Sequence, residues 1–205
     1  MITTKLLLGL AGFAFVSSIT PGPNNLMLMT SGINFGFRRT IPHMAGVGIG
    51  FTLMIVLIGL GIAELLKAVP GAYTVIRAAS VAYLLFLAWK LANAQPPVTN
   101  GAADQAGVTA PRPITFLQAA LFQWVNPKAW AMALTAVSAY TSRSNPVASV
   151  LVVAVVFGLI NLPCVSSWTV MGVKLRALLT DPAKLRKFNI GAALILVATL
   201  YPMLS

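Results

Sequence analysis

Acidic residues are almost missing from this chain. Glu64, Asp104 and Asp181 are the only three among 205 residues, against fourteen Lys and Arg. All three fall at the ends of apolar segments or between them, so a membrane proton relay built on a buried Asp or Glu has no residue to use. Paired carboxylates for acid–base catalysis are absent for the same reason. There is no HExxH sequence and no nucleophile motif, which leaves membrane hydrolysis without machinery. Neither an enzymatic activity nor a resident cofactor or metal is expected. Cysteine is scarcer still. Cys164 stands alone, which excludes a disulfide within the chain and a dithiol pair, and it reads as a small apolar filler. Histidine occurs once, as His43. Charge of any sign is rare, at 8% of residues, where a soluble domain carries about 25%.

Apolar residues fill the space that charge leaves. They make up 58% of the chain, and the mean hydropathy is +0.87. Too little polar surface remains to cover a globule in water. The long apolar runs therefore read as membrane helices, each needing roughly 20 residues to cross the hydrocarbon. A net charge of +11 on a soluble protein would point to nucleic acid. Here no basic stretch carries interleaved aromatics in a soluble segment, so nucleic acid is not expected as a partner. The bases read instead as topology anchors, with the lipid bilayer as the partner.

Six apolar segments can be marked. They run from about Leu6 to Phe35, Ile41 to Ala63, Ala72 to Leu91, Ile114 to Tyr140, Val147 to Val173 and Phe188 to Leu204. Lys5 and the run after it imitate a secretory signal. The basic region is thin and the apolar character resumes directly after "FVSSIT", so an uncleaved first helix is expected. Between the third and fourth segments lies "ANAQPPVTNGAADQAGVTAPRP", residues 92–113. It is rich in Pro, Gly, Ala and Asn, without periodicity, and reads as a linker. It divides the chain into 1–91 and 114–205, three helices each. Three is odd, so the second half enters the membrane from the opposite face, which is the arithmetic of an inverted repeat. The expected fold is an all-α integral membrane protein of six transmembrane helices in two inverted three-helix repeats.

Each half opens with an interrupted helix. "TPGPNN" breaks the first segment and "WVNPK" the fourth. Irregular backbone at membrane depth is tolerated only where protein buries it or a wet cavity receives it. Pro21 lacks a donor and disfavours helix at Thr20. Gly22 allows unusual dihedrals. Pro23 suits the first position of a new helix. The restart presents free N–H groups and the positive end of a helix dipole, and Asn24 and Asn25 add amide donors and acceptors. Asn126 and Pro127 repeat the pattern as cap and first residue. Two such breaks brought together would make a polar site near the midplane, with N–H groups for a carboxylate and amide oxygens for an ammonium. Taken one at a time, such kinks are commonly structural.

Lys128 is the one base that no loop accommodates. It reads as a carboxylate partner or a gate, and otherwise as a snorkelling side chain or the mark of a re-entrant segment. Asn161 and Pro163 interrupt the fifth segment; they widen the same cavity or serve an interhelical hydrogen bond. His43 is expected at headgroup level on the surface. Trp89, Trp124, Trp130 and Trp168 read as interfacial anchors or packing. The glycines of "AGVGIG" allow close helix approach. Arg38, Arg39, Lys90, Arg112, Lys174, Arg176, Lys184, Arg186 and Lys187 collect on one face, against Lys5, Lys67, Arg77 and Arg143 on the other. The richer face is expected in the cytoplasm, with both termini in the periplasm.

"TPGPNN", "GFRRT", "AGVGIGF", "AYLLFLAWK" and "FQWVNPKAW" follow one another in an order that resembles the LysE/RhtB family of bacterial amino-acid exporters along nearly the whole chain. The resemblance implies export of amino acids or close derivatives across a bacterial inner membrane on a six-segment inverted-repeat fold. It implies that Thr20, Pro21, Gly22, Pro23 and Asn24, with Asn126, Pro127 and Lys128, carry the function. Family members take basic amino acids, homoserine and threonine, cysteine-related metabolites or leucine-like residues. The lack of buried acids disfavours a purely cationic substrate. Secondary export by alternating access is the leading expectation. A non-transporting assembly protein or a narrow channel is the alternative, and homo-oligomer formation stays open. A channel would need a polar stripe on several helices, and segments three and six offer little beyond Tyr83, Thr199 and Tyr201.

Overall fold

The structure is a computed structural model that describes residues 3–94, 112–142 and 144–201. The described residues are helical throughout, joined by short turns. The order is α1 (Thr4–Ile19), α2 (Pro23–Gly59), α3 (Ile62–Ala68), α4 (Ala72–Ala92), α5 (Phe116–Phe122), a 3-10 turn (Gln123–Val125), α6 (Pro127–Tyr140), α7 (Pro146–Arg176) and α8 (Pro182–Ala198). Most of the expected linker, residues 95–111 with Asp104, lies outside the described residues, as does Arg143. Among the described residues, three helices are long and apolar enough to cross a membrane: Pro23–Gly59, Thr74–Ala92 and Pro146–Arg176. Thr4–Ile19 and Phe116–Val125 are shorter apolar helices.

Local stereochemistry explains where these helices begin. Proline opens α2, α6, α7 and α8. Its ring presets the helical φ, and the N–H it lacks would have had no partner in the first turn. Thr3 accepts from the Leu6 N–H ahead of α1. Thr115 and Gln118 form a reciprocal capping box ahead of α5. Asp181 accepts from the Ala183 N–H at 2.8 Å ahead of α8.

Two stretches behave otherwise than expected. Pro163 was expected to interrupt the fifth segment, yet α7 runs unbroken through it. A proline costs a helix one N–H bond, and surrounding helices can hold the rest in place. The chain between the first and second expected segments is likewise helical. α2 bends there at Gly36, whose φ of 78° and ψ of 173° are open to glycine and strained for other residues. The bend divides α2 into runs of about 20 Å and 35 Å at 1.5 Å per residue. The first run continues from α1 across the break at residues 20–22.

α2 is the central element and packs most extensively against α7. Small residues set that distance. Gly32 lies against the Thr169 backbone and Gly172 against the Met29 backbone, so each helix offers the other a glycine. On the far side of the bend, a Cβ on Gly50 would fall 2.6 Å from Ala120 Cα. The "AGVGIG" run therefore does permit close approach, to α5. The apolar core forms two clusters. One gathers Met27, Leu28, Leu84, Leu87 and Leu196. The other gathers Leu10, Phe51, Met54, Ala133 and Phe157.

Candidate functional site

The first break separates α1 from α2; Thr20 and Pro21 at the end of α1 are exposed, while Pro23 and Asn25 at the start of α2 are buried. A helix ends with carbonyls that have no partner in the helix, and here side chains from elsewhere satisfy them. Asn25 Nδ2 donates to Ser18 O at 2.9 Å and to Thr20 O at 2.8 Å. Trp168 Nε1 on α7 donates to Ile19 O at 3.2 Å. Lys128 Nζ on α6 donates to Thr20 O at 2.6 Å and Pro21 O at 3.4 Å. A cation at a helix C-terminus is also favoured by the dipole. Thr20 turns its hydroxyl back to Val16 O.

The start of α2 is treated differently. Gly22 gives it no side-chain cap. Leu26 N–H finds Gly22 O at 3.0 Å, while the N–H groups of Asn24 and Asn25 have no partner among the described residues. Gly22 itself has φ −171° and ψ 177°. That is extended backbone open to any residue, so the expectation of unusual dihedrals is corrected. What requires glycine is space: a Cβ there would lie 2.7 Å from Lys128 Cδ.

The second break forms as its sequence suggests. Asn126 caps α6 by accepting from the Lys128 N–H at 3.1 Å, and Pro127 is the first helical residue. A 3-10 turn before it points Gln123 at the first break. Asn24 Nδ2 donates to Gln123 Oε1 at 2.9 Å, and Gln123 Nε2 returns a bond to Asn24 Oδ1 at 3.3 Å. The two breaks, 99 residues apart, are thus joined side chain to side chain. Asn161 on α7 closes the third wall, donating to Ser18 Oγ at 2.9 Å. Its Oδ1 is buried and has no partner among the described residues.

These groups surround a cavity of about 20 Å³, enough for about one water molecule. It sits between the two apolar clusters, with Phe51 and Ala129 from one and Val165 from the other in its wall. Gly22, Asn24, Asn25, Asn126, Lys128 and Asn161 all line it. Thr20 and Pro21 take part through their carbonyls. Pro127 faces a neighbouring recess beside Trp130. Lys128 is the single charged residue in the wall. The wall thus carries donors at the Lys128 ammonium and the start of α2 and an acceptor at Asn161 Oδ1.

Sequence reasoning missed Gln123, Ser17 and Ser18, which also line the cavity. Gln123 had a signal, as an amide inside an apolar run three residues before Asn126. The serines precede the break directly. Trp168 was assigned to anchoring or packing, and its hydrogen bond to the end of α1 had no local signal. His43 was expected at the surface and is instead fully buried, with both ring nitrogens lacking a partner among the described residues. It lies on the face of α2 that also buries Thr40, Met44 and Val47, while Arg38, Arg39, Ile41 and Pro42 on the other face are exposed.

Known proteins resemble this chain in sequence. The cysteine/O-acetylserine efflux protein of Escherichia coli (strain K12) is 30% identical over 201 residues, covering 96% of each chain. The proteins of the same name from Salmonella typhi and Salmonella typhimurium (strain LT2) match to the same extent. No solved structure matches. The LysE type translocator family matches over residues 15–200. With nine-tenths of its length so matched, the chain belongs to the LysE type translocator family.

Proposed function

We propose that this protein is a secondary exporter of small zwitterionic amino acids or close derivatives, working by alternating access. The chain crosses the inner membrane six times as two inverted repeats, residues 1–91 and 114–205, with a cytoplasmic linker at 92–113 and periplasmic termini. The observation that carries the reading is the cavity between the two broken helices. One end offers the Lys128 ammonium and the uncapped N–H groups of Asn24 and Asn25, and the other offers the unpartnered Asn161 Oδ1. A zwitterion supplies what both ends lack. No carboxylate lines the cavity, which favours a neutral side chain over a cationic one. Cysteine and O-acetylserine, named for the relatives, have that chemistry.

At about 20 Å³ the cavity is too small for an amino acid. Binding then requires the helices to part, as alternating access demands and an open channel does not. The test is counterflow in proteoliposomes preloaded with L-cysteine or O-acetyl-L-serine. Labelled amino acid should accumulate against its gradient, and L-lysine should not replace it. Flux without counterflow would favour the channel, and no flux with any amino acid would favour the assembly role.

A further inference from the structure

A second recess lies along the same half of α2, between the break and Gly36. It has a volume of about 220 Å³ and is walled by α2, the end of α4, and Arg112 with Ile114. Thr30, Ser31 and Asn34 face it from α2 and Lys90 from α4. It shares Asn93 and Ala94 with a larger recess of about 660 Å³ that Arg176 and Arg186 also line. Among the described residues the first hollow is lined by the cations Lys90 and Arg112 and the second by Arg176 and Arg186, with no acid in either. Lys90 Nζ meets only neutral oxygens, Gln118 Oε1 at 3.2 Å and Pro113 O at 3.5 Å. Among the described residues the one salt bridge is Lys67–Glu64, far along the chain. Asn93 donates its Nδ2 to Trp89 O and keeps Oδ1 without a partner among the described residues.

Resting on the export reading, we propose that the first hollow is a second amino-acid site, a loading vestibule in which Lys90 and Arg112 hold the substrate carboxylate. Cations converging in a recess with apolar walls concentrate anionic groups and raise the rate of encounter. The volume accepts a small amino acid, which the central cavity does not. Hydroxyls of Thr30 and Ser31 and the free Asn93 Oδ1 supply acceptors for the ammonium. The hollow lies on the face richest in bases, which the export reading places in the cytoplasm, where an exporter loads.

The experiment is binding of labelled, reduced L-cysteine to the purified protein in phosphatidylcholine nanodiscs. Wild type should bind two equivalents. Lys90→Gln with Arg112→Gln should bind one and raise the half-saturation for counterflow about tenfold or more, as expected on losing charge-assisted hydrogen bonds. Lys90→Arg with Arg112→Lys should restore the second equivalent, which shows that charge is the requirement. One equivalent in wild type, lost in Lys128→Met but kept in the double Gln variant, overturns the vestibule and leaves the central site standing. No binding in wild type overturns both. Phosphatidylglycerol that copurifies with wild type and not with the double Gln variant, while cysteine stoichiometry stays at one, makes the hollow a lipid site and overturns the proposal.

Discussion

Lys128 and Gly22 act as one unit. The lysine side chain lies across the glycine, and its ammonium reaches the carbonyls of Thr20 and Pro21. Two donors bound to carbonyls leave a third for a carboxylate. Lys128→Met is therefore expected to weaken amino-acid binding about ten- to a hundredfold, the worth of a charge-assisted hydrogen bond. A methyl ester of the substrate should bind wild type poorly and distinguish little in Lys128→Met. An equal ester penalty in both proteins, measured by competition, would separate the lysine from the carboxylate. Asn24→Ala and Asn126→Ala remove neutral partners and should each lose on the order of 1 kcal/mol. Gly22→Val fills the space that Lys128 occupies and should reproduce the binding defect of Lys128→Met. Normal affinity in that variant would show that the lysine can lie elsewhere. The importance of Lys128 was legible in its sequence position, because charge inside an apolar run is costly. Its partners were not, since Thr20 O lies 108 residues away.

In the export reading the broken helix is the functional element. Replacing Pro21, Gly22 and Pro23 with Ala restores helix propensity across the break. The variant is expected to insert, with transport lost because the α2 N-terminus and its free N–H groups disappear. Undiminished counterflow by well-expressed protein would reduce the break to a kink. A second prediction concerns the crossing of α2 and α7. Gly172 rests against the Met29 backbone, and Gly32 against Thr169. Gly172→Leu has no flexible side chain to displace, only backbone. Overpacking costs about 1–3 kcal/mol in a packed core, so its melting temperature in detergent should fall clearly below that of Gly191→Leu, where a Cβ meets nothing within 4 Å. Equal melting temperatures would deny that the close crossing matters. The two breaks could be read from Pro, Gly and Asn because those residues act on neighbouring dihedrals. The continuity of α7 through Pro163 could not, because whether a proline ends a helix depends on what packs around it.

At the scale of the molecule the charge asymmetry decides orientation. Nine loop bases on one face against four on the other predict that the richer face stays in the cytoplasm. Reporter fusions after Ser205 and within residues 98–108 should then give opposite signals, periplasmic for the terminus and cytoplasmic for the linker. Matching signals would defeat the six-span arrangement. A cytoplasmic signal from the linker would also put the cation-lined hollow on the side from which an exporter loads.

The sequence alone determined the solvent, because too few charges are present to cover a globule in water. It also determined where helices stop and restart, because Pro21, Pro23, Asn126 and Pro127 act within a few residues of themselves. Only the tertiary structure decided what those ends meet. Asn24 pairs with Gln123 across 99 residues, and Asn161 reaches Ser18 across 143. His43 and Asn161 Oδ1 are buried without partners, a condition no local pattern encodes. Short-range stereochemistry can break a helix, but only the packing of α6 and α7 against the break, through the small residues that let α2 approach, turns two broken ends into one polar cavity.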